Sequence, residues 1–286
     1  MSAIAAPAAG RVRRPGVRTV YRWELAKLRY QKRTYLGLSA AAIVPILFTV
    51  AIHFRHHHGD HGEFAFASYL NKSGLAVPLV ILLFGAIWMF PLITALVAGD
   101  IFASEDHNGT LKTILTRSVE RWQIFAGKAL VAATYAVVAI LLDGTIAVLA
   151  GSIQSGFNPL QSLSGTLVSA PKALELVYVS LFVYLIPIAT IVCIGILLST
   201  LTRNSAAAVV GTLMISLLFQ LIGILPGLDG AKPYLLSTQF NAWQGLLRTP
   251  IDWAPIVRAA WVCAMYGVPS LAAAYIAFLR RDVAGG

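Results

Sequence analysis

Charge is what this sequence has least of. Only 12% of its 286 residues are charged, against about a quarter in an ordinary soluble domain, and so few charges cannot furnish a water-facing surface. Acids are scarcer than bases, 12 against 22, which leaves a formal net charge of +10. Cysteine is nearly absent. Cys193 and Cys263 each fall inside an apolar stretch, where a thiol behaves as a small hydrophobe, and this reads against a disulfide framework. The basic N-terminus has no apolar run behind it until about Leu36, so it does not have the form of a cleaved secretory signal. Nor do the cations line one soluble face with interleaved aromatics, as nucleic-acid binding requires. They flank apolar blocks instead.

Apolar residues are what the sequence has in abundance: 58% of the chain, with a mean hydropathy of +0.75. They are gathered into blocks of roughly 18 to 25 residues, the length that crosses a hydrocarbon core about 30 Å thick. The expected fold is all-α, a polytopic membrane protein with six transmembrane helices at about 36–53, 75–98, 129–153, 173–200, 205–225 and 255–279. Residues 1–16 read as a disordered basic tail, 17–35 as an amphipathic interface helix, and 36–281 as the transmembrane domain. In the interface helix Val17, Tyr21, Leu25, Leu28 and Tyr35 recur at helical spacing, with Arg22, Lys27, Arg29 and Arg33 between them to meet membrane lipids. Prolines 45, 78, 91 and 187 predict kinks. Six spans divide the loops into two alternating sets, one with sixteen Lys and Arg and the other with six. The positive-inside rule then puts both termini in the cytoplasm.

The most structured polar stretch is Asp100–Lys128, between the second and third spans. Asn108-Gly109 marks a turn, Thr110 is placed to cap, and Leu111, Ile114 and Leu115 follow at helical spacing. This predicts a short helix parallel to the membrane, which a partner could grip to tilt two spans together. A solvated interfacial helix is the alternative.

Here the residues carry a resemblance. Glu105, Asn108-Gly109-Thr110-Leu111-Lys112, Leu115-Thr116-Arg117-Ser118-Val119, Arg121 and Gly127-Lys128, with Glu24-Leu25-Ala26-Lys27-Leu28 upstream, resemble the motifs of type-2 ATP-binding-cassette (ABC) exporter permeases. Ser118 stands where proline is common in that family. The resemblance implies a permease that pairs with a second copy or a homologue. It also implies two cytoplasmic ABC ATPase subunits, engaged through Glu24, Lys27, Glu105, Gly109, Thr110, Leu111, Lys112, Leu115, Arg117 and Arg121. ATP and Mg would bind those partners, because no G-x-x-x-x-G-K-[ST] loop occurs here; this chain is expected to bind no cofactor and to be no enzyme. The implied substrate is hydrophobic or amphiphilic: a drug, a peptide or a lipid-like compound.

Two further features stand outside the motifs. Asp143 is the one acid deep in a span, and a carboxylate there is a functional candidate for the translocation path; the alternative is a packing carboxylate hydrogen-bonded to Thr or Tyr. His56, His57, His58 and His61 lie beside Asp60 and Glu63 in an outer loop. They are candidate metal ligands, though in no fixed spacing, and flexible His-rich tracts bind metals weakly. A metal-handling permease or an ion-coupled secondary transporter is the competing class. The secondary transporter would more commonly show two similar halves, and no repeat is evident.

Overall fold

The computed structural model describes residues 16–57, 70, 72–107 and 120–280, without the side chains of residues 55–57, 106 and 107. Helix α1 (Val17–Leu28) is followed by a turn at Arg29–Gln31 and by α2 (Lys32–His57). The amphipathic stretch expected over 17–35 therefore divides, because Tyr30 N and Gln31 N bond back to Lys27 O and Leu28 O and close a turn there. The second apolar block forms two short helices, α3 (Ala76–Gly85) and α4 (Met89–Ala98). Next come α5 (Ala103–His107), α6 (Arg121–Ser155), a two-residue hairpin of β1 (Leu160–Gln161) on β2 (Leu167–Val168), and α7 (Ala170–Thr202). The chain ends with α8 (Ser205–Ile224), the short α9 (Leu236–Gln239) and α10 (Ala254–Leu279).

Five of these helices, α2, α6, α7, α8 and α10, are long and apolar enough to cross a membrane, and the bent pair α3–α4 makes a sixth span if it is counted as one. The protein is thus an all-α polytopic membrane protein. Its boundaries follow local chemistry. α6 starts at Arg121, eight residues before the apolar block itself, because Glu120 and Gln123 form a reciprocal capping box. At 1.5 Å per residue its 35 residues reach about 50 Å, well beyond the hydrocarbon thickness. Its polar first two turns therefore extend past the core. Between α7 and α8 the chain turns sharply at Arg203, in the left-handed region, and Asn204 caps α8 by accepting from Ala207 N at 3.1 Å.

The 65° bend between α3 and α4 has a cause in Pro91. It has no N–H to give the Ile87 carbonyl, and its ring clashes with that carbonyl, so a continuous helix cannot pass. Placed in the first turn of α4, Pro91 costs nothing.

α7 is the central helix, packed against α10, α8, α6 and α4, while α1 and α2 lie along α6. Close approach comes from glycine. A Cβ on Gly144 would meet, at 2.4 Å, the Leu181 side chain of α7, which packs into the space the glycine leaves, and one on Gly151 would meet Gly74 O at 2.3 Å, so α6 crosses the segment leading into α3 nearly backbone to backbone. At the end remote from α1, the connection before α10 folds into the bundle. Phe240 packs edge-on against Tyr184 at 5.3 Å, and Trp243 and Leu246 are buried.

Replacing Gly151 with valine should lower stability by about 1–3 kcal/mol through overpacking. Thermal unfolding in detergent measures this, and an unchanged midpoint would mean the two segments can separate freely.

Candidate functional site

Three elements meet where α1 lies across the head of α6 and the end of α5. Gly127 makes the crossing possible, since a Cβ there would stand 2.6 Å from Val20 Cγ1. Two turns further along α6, Thr134 shares a hydrogen bond with Tyr21 at 3.0 Å. The next residue after Gly127 is Lys128, whose side chain is 0% exposed. An ammonium has three N–H donors and no acceptor. Lys128 Nζ finds Glu105 Oε1 at 2.7 Å, Glu24 Oε1 at 3.1 Å and the Ile101 carbonyl at 3.3 Å. The Phe102 ring adds a face 5.6 Å away, within cation–π range. Glu105 also pairs with Lys27 of α1. Two acids and two bases therefore neutralise one another in a single knot that joins α1, α5 and α6.

Burial alone would push the Glu105 carboxyl up. The Lys128 ammonium, and after it that of Lys27, outweigh this and hold it below the ordinary glutamate value.

A second cluster lies alongside. Asp100, at the end of α4, pairs with Arg33 of α2 and accepts from Ser205 Oγ at the start of α8. Ser199 of α7 accepts from both Phe102 N and Ala103 N at 3.0 Å, which satisfies the free donors at the start of α5. Beneath both clusters, Phe102, Phe125 and Phe278 pack ring on ring with centroids 5.3 to 5.8 Å apart. The exit of the second span is thereby fastened to α1, α2, α6, α7, α8 and α10.

Of the residues expected from sequence, Glu24, Lys27 and Glu105 come together here. Arg121 does not join them; its Nη1 donates to Leu279 O, at the end of α10, at 2.7 Å. Gly109, Thr110, Leu111, Lys112, Leu115 and Arg117 lie outside the described residues. So do His58, His61 and the side chains of His56 and His57. Among the described residues no group of three or more His, Cys, Asp or Glu is placed to hold a metal. Asp143 sits fifteen residues beyond Lys128 on α6, about 22 Å along the axis. It is 1% exposed, and neither carboxyl oxygen has a hydrogen-bond partner among the described residues. Among the described residues no Thr or Tyr hydroxyl bonds it: the neighbouring Thr145 bonds Leu141 O, with Tyr178 Oη at 3.5 Å.

Asp100, Ser199 and Ser205 belong to these clusters without any signal in the sequence pattern, and Arg33 reads only as one cation of the interface helix. Lys128 carried a signal besides its place in the motif: a lysine joined directly to an apolar span needs an acid partner, and the acids of the neighbouring polar segments include Glu24 and Glu105.

Residues 21–220, from α1 through most of α8, match the family described as ABC-2 family transporter protein. No curated protein matches the sequence.

Lys128→Met should cost about 3–5 kcal/mol, because it takes the buried cation from Glu105 and leaves the half-buried Glu24 without one; denaturant or thermal unfolding in detergent measures it, and a loss below 1 kcal/mol would contradict the knot. Glu105 also sets a pH dependence. Its lowered pKa means that its contribution is complete above the ordinary glutamate range and drains away as pH falls through the depressed value. The stability gap between wild type and Glu105→Gln should hold level above about pH 5 and close on acidification. A gap that widens in acid would reverse the sign.

Proposed function

The chain belongs to the ABC-2 transporter family, and on that premise we propose that it is the permease of an exporter in which a gripped cytoplasmic segment drives the spans through the Lys128 knot. It is the membrane subunit of an ABC transporter and works with an ABC ATPase. The finer reading gives it two such subunits, a second permease copy or homologue, a place in the plasma (inner) membrane and both termini in the cytoplasm. The sixteen-to-six distribution of Lys and Arg supports that orientation.

The observation that carries the proposal is how residues 105–121 are held at their two ends. Glu105 is locked to α1 and α6, and Arg121 to the end of α10. A partner that displaces the segment between them therefore pulls on α1, α6 and α10 together. ATP binding at the partners would close them, shift this segment and change how the spans pack, while the substrate follows the interface between the two permeases. Walls as apolar as these spans suit a hydrophobic or amphiphilic substrate. Asp143, buried within the subunit, is the residue that would meet a cationic group on it once the spans repack and uncover it.

In a complex reconstituted with an ABC ATPase, Glu105→Gln combined with Arg121→Gln should still bind the ATPase. It should transport on the order of tenfold less substrate per ATP, in keeping with coupling free energies of roughly 1–3 kcal/mol. Full coupling in the double variant would sink the route, and failure of the wild-type chain to recruit any ABC ATPase would sink the assignment.

A further inference from the structure

The break in the second span opens a space. Between α2 and the bend lies a cavity of about 220 Å³, lined by Val44, Phe48, Ile81, Phe84, Gly85 and Trp88. Apart from the Trp88 indole, no side chain among these six can hydrogen-bond. The carbonyl that the bend frees at Ala86 is occupied from the other side, by Gln220 Nε2 of α8 at 3.3 Å. Nothing in the lining offers water the two to four partners it needs. An apolar cavity of about 150 Å³ already stays dry and takes benzene, and this one is larger. Its rim is exposed at Phe84 and Trp88. Its walls belong to segments that cross the bilayer, so the medium outside it is hydrocarbon. On the side away from α2, Gly85 is backed by the Phe90 ring, 2.5 Å from where a Cβ would stand, and that wall is fixed. Interrupted helices in transporters are where ligands meet the bundle.

We propose that this cavity binds a phospholipid acyl chain, which lodges between α2 and the break and fills the angle that Pro91 imposes. The recognition is dispersion contact between methylenes and the Phe48, Phe84 and Trp88 rings, with no demand on the headgroup. It does not rest on the ATP-coupled reading.

The test places the protein in nanodiscs of phosphatidylcholine, either plain or brominated midway along one acyl chain. Quenching of Trp88 is read as the difference between wild type and Trp88→Phe. Val44→Phe fills the cavity from α2, and Ile43→Phe adds the same bulk on the exposed side of α2. Trp88 quenching should be lost in Val44→Phe and kept in Ile43→Phe. Should Val44→Phe fail to assemble, Val44→Leu fills part of the cavity with a milder change and should weaken the quenching. Quenching that survives Val44→Phe, or is undiminished in Val44→Leu, would show only ordinary contact with surrounding lipid and overturn the site. So would a wild-type Trp88 that bromine does not quench.

Discussion

A lysine ammonium removed from water is costly unless charge and hydrogen bonds replace the lost hydration, and Lys128 is the group on which the arrangement around the second span depends. Its three donors are all engaged, two by carboxylates and one by a carbonyl, and the second carboxylate shares a further cation from α1. In a medium of low dielectric such a knot is stiff, because Lys128 and Glu105 each hold two partners of opposite charge and neither can move without disturbing both. Gly127 allows α1 to descend far enough for the pairs to form. Elsewhere the helices are joined by apolar packing, glycine crossings and single hydrogen bonds, such as Gln220 to the Ala86 carbonyl and Thr190 to the Cys263 carbonyl. Among the described residues, the buried charge pairs are thus gathered around Glu105, Lys128 and Asp100.

That segregation fits the proposed coupling, in which a push at one surface becomes repacking within the bilayer. The second span is anchored at one end and, among the described residues, is the one broken along its length. Asp100, Phe102 and Ala103 fix its exit to α2, α7 and α8. Pro91 prevents it from transmitting that fixity as a straight rod. On the proposed coupling route, movement at the anchored end would reach the helices tied to it, while the bent half would be able to follow a different course.

Much of the fold was legible in the sequence because lipid imposes a simple rule. Apolar blocks of the right length become spanning helices, and few other structures satisfy the backbone there. The ends were less legible. Hydropathy starts the third span near Ala129, whereas the capping pair Glu120 and Gln123 starts the helix at Arg121. The site was half legible: Glu24, Lys27, Glu105 and Lys128 all fall in the motifs that carry the resemblance, but that Lys128 unites the other three is seen only from its burial. Arg33, Asp100, Ser199 and Ser205 could not be found by spacing at all, since each belongs to a different element and only tertiary packing brings them together. The bend was signalled by Pro91 but its angle was not, because that depends on what α2 and α8 place beside it.

The central claim is that α1 and the head of α6 move as one body. The most direct measurement is the distance between spin labels at Ala26 of α1 and Leu130 of α6, both exposed, in a complex with its ATPase, with and without ATP. The account predicts one narrow distance that nucleotide leaves unchanged, and that broadens when Lys128 is replaced by methionine. A distance that shifts on ATP binding in the wild-type chain would show α1 parting from α6, and would contradict it.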